Sequence, residues 1–145
     1  MRSLFSPILL SISLILGGGA ALANPEATSA INTLRAERGL QALAYSPTLE
    51  KAARRHAMDM GRKGFFSHKG SDGSNVAKRT RKEGYRWCMV AENIAMGQSS
   101  LGQVMRDWAG SPSHYKNMVH PKAQQFAVFE GPNNVWVMVV AATGC

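Results

Sequence analysis

The end of the chain sets the strongest constraint on the fold. Gln125 to Glu130 and Val135 to Ala142 are rich in β-branched and aromatic residues, and Gly131-Pro132-Asn133-Asn134 between them reads as a turn. Together they predict a β-hairpin. A third strand is predicted over Met89 to Ala95. Ahead of these strands the signals are helical. Asn24-Pro25-Glu26 supplies a cap residue, a proline at the first helical position and an early acid; Ala27, Ile31 and Leu34 then share a face, and Gly39 ends the helix. Ser46-Pro47 repeats that start. Leu49, Ala52, Ala53, His56, Ala57 and Met60 follow at helical spacing and stop near Gly61 to Gly64. A short basic helix is predicted after Ser74, and another from Ser99 or Ser100 with Val104, Met105 and Trp108 on one face. Helices early and strands late predict an α+β layered domain, a small sheet covered by helices.

The beginning of the chain predicts export. Arg2 precedes an apolar stretch from Leu4 to Leu16, and Ala21-Leu22-Ala23 offers a small-x-small cleavage site, so residues 1–23 read as a secretory signal peptide. The stretch is shorter than the roughly 20 apolar residues that span a bilayer, which disfavours a retained anchor. What remains, residues 24–145, suits one domain with one modest core, secreted or periplasmic. Both cysteines, Cys88 and Cys145, fall in that part. In an oxidising compartment they predict one disulfide across 57 positions, the alternative being a reactive thiol at Cys88.

The formal net charge of +8 is concentrated, with eleven Lys or Arg residues between Lys51 and Arg86 against Asp59, Asp72 and Glu83. Lys78, Arg79, Arg81, Lys82 and Arg86 form the densest part and are read as a surface for anionic partners: lipid headgroups, acidic glycans or lipopolysaccharide. The competing reading is a solvated face that serves solubility. Nucleic acid is excluded by compartment and by the lack of a recognition motif.

The four histidines differ in kind. His56 lies among apolar neighbours at helical spacing and reads as a half-buried structural residue, while His120 precedes Pro121 in a polar loop. His68 closes Gly64-Phe65-Phe66-Ser67-His68, a segment that two aromatics would anchor, and His114 ends Ser111-Pro112-Ser113-His114. Glu92 stands in the apolar run Val90-Ala91-Glu92-Asn93-Ile94-Ala95, where a buried carboxylate needs a partner. The spacings of 24 and 22 residues that separate His68, Glu92 and His114 match no metal motif.

The short motifs, in order, carry a resemblance. They are His56-Ala57-Met58-Asp59-Met60, Gly64-Phe65-Phe66-Ser67-His68 leading to Asp72-Gly73-Ser74, Gly84-Tyr85, Glu92-Asn93-Ile94-Ala95, Trp108, and Ser111-Pro112-Ser113-His114 with Asn117-Met118. With the closing hairpin they resemble the bacterial branch of the CAP superfamily, the cysteine-rich secretory, antigen 5 and pathogenesis-related proteins, also called SCP-like domains. The resemblance implies a three-layer α-β-α sandwich with a small antiparallel sheet, and a cleft on which His68, Glu92 and His114 converge. It also implies that a divalent metal such as zinc could be held there through His68 and His114. Two departures stand out. The family's second acid is replaced by Ser111, which leaves the cleft set incomplete and a tightly held metal disfavoured. Phe126-Ala127-Val128-Phe129 replaces a glycine-containing strand, so Phe129 either packs into the core or fills space near the cleft.

Three functions follow as expectations. The first is a binding module for a lipid or other amphiphilic, anionic envelope ligand, with Lys78, Arg79, Arg81 and Lys82 attracting its head. The second is a metal-dependent hydrolase, protease-like, in which Glu92 is the general base to a metal-bound water. The third is a non-catalytic envelope protein in which the cleft residues stitch the fold, Glu92 being bonded to His114 or to backbone.

Overall fold

A computed structural model describes residues 24–145; the signal-peptide reading of residues 1–23 lies outside the described residues. Five helices and four strands run in the order α1 (Pro25–Ala36), β1 (Ala44–Tyr45), α2 (Pro47–Lys63), α3 (Val76–Lys82), β2 (Met89–Met96), α4 (Leu101–Gly110), α5 (Pro112–Met118), β3 (Gln125–Gly131) and β4 (Val135–Ala142). Side chains close the helix starts as the sequence predicts at Asn24, which accepts from the Ala27 amide, at Ser46 from Leu49 and at Ser100 from Gln103; the basic helix expected after Ser74 is capped by Asn75, which accepts from Lys78. The short helix α5 was not anticipated, because its one buried residue, Met118, gives it no apolar period to read.

The sheet order is β1-β3-β4-β2. β3 and β4 form the expected antiparallel hairpin through a tight turn at Pro132–Asn134, where Asn133 and Asn134 take positive φ; β2 pairs antiparallel along the far side of β4. The two-residue β1 joins the other edge in parallel with β3, so the sheet is mixed. This addition was missed because Ala44-Tyr45 is too short to carry a strand pattern.

Strand alternation sorts the core into two layers. Trp136, Met138 and Val140 of β4 face α1, α4 and α5, packing with Ile31, Val104, Trp108 and Met118. Val135, Val137, Val139 and Ala141 face α2, packing with Leu49, Ala53, Ala57 and Met60. β4 is buried at every position because it is central and covered on both sides, the three-layer sandwich in its simplest form. Close packing of α2 on the hairpin demands glycine: a Cβ on Gly131 would stand 2.7 Å from the Ala57 carbonyl oxygen, and one on Gly61 would stand 2.4 Å from that of Pro132. Phe129 packs with the α2 layer, and the Arg54 guanidinium lies 5.6 Å from its ring centre.

Two features tie the chain ends. Fully buried Arg35 donates to the carbonyls of Gln41 (2.7 Å), Met118 (3.1 Å) and His120 (3.0 Å), which fastens α1 to the loop after α5. Cys88 and Cys145 form the expected disulfide, joining the start of β2 to the end of the chain.

Candidate functional site

Glu92 is the centre of the site. It lies on β2, an edge strand, and its register partner Val139 faces α2, so Glu92 also points into the α2 layer. Its side chain is 2% exposed, and both carboxylate oxygens are engaged. Oε1 accepts from His68 Nδ1 at 2.8 Å, and Oε2 accepts from Arg79 Nη2 at 2.6 Å. His56 stands behind, its Nε2 3.9 Å from Oε1 and donating at 2.8 Å to the Ser67 carbonyl. That bond leaves its Nδ1 buried and unpartnered. Burial lowers the His56 pKa, against the pull of Glu92, which favours the neutral ring.

Arg79 is a correction to the sequence reading. It was grouped with Lys78, Arg81, Lys82 and Arg86 as a surface for anions, but its side chain is 2% exposed. Helical geometry gives the reason: in so short a helix the inward stripe is Val76, Arg79 and Thr80, and the neighbouring cations point away. Arg79 also donates to the His68 carbonyl at 3.2 Å and the Ser74 carbonyl at 2.9 Å, closing the 68–75 loop onto the sheet. The other grouped cations, Lys78, Arg81, Lys82 and Arg86, are exposed, and Arg81 lies 4.6 Å from the ring centre of Trp87.

His114 sits on the other side of β2. Asn93, one residue beyond Glu92, points to the α5 layer, donates to the His114 carbonyl at 3.1 Å and accepts from Asn117 at 2.8 Å. Glu92 and His114 are thus separated by alternation about an edge strand, and the expected Glu92–His114 bond does not form. Ser111, standing where the resemblance expects an acid, bonds His114 Nδ1 at 2.9 Å and sets the ring's orientation. Burial lowers the His114 pKa, and the charge of His68 lowers it further. His68 therefore meets β2 through Glu92 on one face, and His114 meets it through Asn93 on the other. His56 and Arg79 are the members that sequence reasoning missed. The one available signal was that a buried Glu92 needs a cationic partner.

The site titrates in a defined sense. Glu92 raises the His68 pKa, first through their hydrogen bond. A raised folded-state value stabilises the protein fully below the unfolded value of about 6.5, and that contribution is lost as pH rises through the folded value. With the His68 side chain 60% exposed, the effect is below about 1 kcal/mol. His68→Gln is accordingly expected to lower the urea midpoint more at pH 5.5 than at pH 8.5. An equal or larger loss at pH 8.5 would show that the pair is not charge-assisted.

A metal centre fits poorly. Among the described residues no group of three or more His, Cys, Asp or Glu side chains is placed to hold a metal ion. Glu92, the acid nearest the histidines, is committed to Arg79 and His68.

Solved structures share this architecture. An extracellular protein of Bacillus anthracis containing an SCP domain superposes with a TM-score of 0.73 at 22% identity, over 78% of this chain and 38% of that one. An outer surface protein of Borrelia burgdorferi also gives 0.73, at 24% identity over 81% of this chain and 90% of that one. Among curated sequences, the uncharacterized protein YkwD of Bacillus subtilis is 29% identical over 106 residues, which is 72% of this chain but 41% of that protein. Among the described residues no helix is long and apolar enough to cross a membrane. The cysteine-rich secretory protein pattern matches residues 28–139, from within α1 to within β4, and takes in every motif from His56 to Met118, and the chain belongs to that family, the CAP family.

Proposed function

We propose that this chain is a non-catalytic binding module working outside the cytoplasm, and that its cleft takes an amphiphile with an anionic head. One observation carries the reading: both Glu92 oxygens are already bonded and the side chain is nearly excluded from solvent. A general base must be free to take a proton from a water or substrate within reach, and Glu92 is not. What the cleft does offer is an open imidazole, His68, whose charged form Glu92 favours. Phe66, two residues away and 50% exposed, offers apolar surface near that cation. A charged tip beside an exposed aromatic suits a ligand with an anionic head and an apolar body. The extracellular and outer-surface neighbours support a place outside the cytoplasm.

The test uses residues 24–145 with the disulfide intact. Native mass spectrometry of protein purified from the secretory compartment is expected to show a lipid adduct that denaturation removes. Binding to phosphatidylglycerol vesicles is expected to fall severalfold in a His68→Ala/His114→Ala variant and to weaken with salt. A bare oxidised chain whose vesicle binding ignores both substitutions would overturn the reading. One observation favours a stitching role as well: the buried Arg79–Glu92 pair bridges α3 to β2. If Glu92→Gln lowers stability with ligand occupancy unchanged, the acid serves the fold alone.

A further inference from the structure

A groove of about 580 Å³ lies along the outer face of α2, bounded by α3 and the 71–74 loop, and a recess of about 210 Å³ at Lys78 and Lys82 adjoins it. We propose that this groove is a second binding site, for a linear acidic glycan. The site is independent of the cleft reading.

The cations decide the charge of the ligand. Arg55 is paired with Glu83, and Lys63 with Asp59 at 2.9 Å. Lys51, Arg54 and Arg62 also line the groove, are exposed, and make no ion pair among the described residues. Lys51 and Arg62 are eleven positions apart on the same side of α2, roughly 16 Å at 1.5 Å per residue. Three free cations strung over that distance, with Lys78 and Lys82 beyond, do not converge on one phosphate. They match a chain whose negative charges are spaced along its length.

The remaining lining decides what lies between those charges. Asp59 and Asp72 stand in the wall beside the Ser71 and Ser74 side chains. Carboxylates among the cations repel a densely charged polymer without hydroxyl groups, such as polyphosphate, but they accept hydrogen bonds from the hydroxyls that separate the charges of an acidic sugar chain. Beneath the floor, His56 Nδ1 and Arg79 Nε are buried without hydrogen-bond partners, which makes the floor polar and a poor seat for an acyl chain. The one aromatic ring in the lining, His56, is buried, and no Phe, Tyr or Trp lines the groove, so it lacks the stacking platform that a single-stranded nucleic acid uses. A hydroxyl-rich chain with intermittent carboxylate or phosphate groups meets every condition.

Titration of residues 24–145 with tetragalacturonate by calorimetry tests this, with maltotetraose and inorganic polyphosphate as comparison ligands. Tetragalacturonate is expected to bind at low salt and to weaken as salt rises. Lys51→Glu/Arg62→Glu is expected to weaken it at least about tenfold, and the milder Lys51→Gln/Arg62→Gln to weaken it less. Circular dichroism would verify both folds. His68→Ala/His114→Ala is expected to bind tetragalacturonate like the unmodified chain. Any of four results would overturn the site: equal binding of maltotetraose, tighter binding of polyphosphate, undiminished affinity in both groove variants, or lost affinity in the cleft variant.

Discussion

Glu92→Ala is expected to destabilise the chain by about 3–5 kcal/mol, because it strands a buried guanidinium. For a domain of this size that corresponds to a fall of roughly 12–20 °C in melting temperature. Arg79 would keep its bonds to the His68 and Ser74 carbonyls but lose its counter-charge and the 2.6 Å bond from Nη2. Replacing both partners, as Arg79→Met with Glu92→Leu, is expected to recover most of the loss, since neither charge then remains buried alone. Urea denaturation of the oxidised chain at pH 7 checks both. A cost under about 1 kcal/mol for Glu92→Ala would mean that water reaches Arg79 freely and that the pair is not interior. The same measurement bears on function. A group with so large a structural stake is a poor candidate to exchange protons with a substrate.

Removing the disulfide, as Cys88→Ser with Cys145→Ser, is expected to cost about 4 kcal/mol in the chain-entropy account of a 57-residue separation. In the folded chain the two residues are already neighbours: the Cys88 amide donates to the Ala142 carbonyl at 2.9 Å, at the end of the β2–β4 ladder. The bond therefore acts mainly on the unfolded chain, by holding the ends of the sheet together before the sheet exists. Guanidinium denaturation of the double variant measures the cost. A loss below about 1 kcal/mol would show that the β2–β4 ends stay associated in the unfolded ensemble without the bond.

Local chemistry was legible in the sequence because its rules act within a few residues. Caps at Asn24, Ser46 and Ser100, the turn at Pro132–Asn134 and the apolar faces of α2 and α4 all depend on neighbours along the chain. So do the strands: β2 and both arms of the hairpin stand where their composition placed them. The motif order identified the family, and with it the sandwich. The elements that escaped, β1 and α5, carry no readable period: β1 has two residues, and α5 buries only Met118.

The partners were not legible, since they are set by what lies across a strand or between layers. Glu92 in an apolar run announced that it needed a partner, but nothing local chose Arg79, thirteen residues earlier on another element, over His114. Alternation about the edge strand made the choice, sending Glu92 to the α2 layer and Asn93 to His114. Helical phase made the complementary one, turning Arg79 inward from a run of exposed cations. The amount of charge was determined by the sequence alone. Which charges remain free to meet a ligand was decided only when the tertiary structure paired some and buried others, because solvent access and distance, unlike charge, are properties of the packed chain.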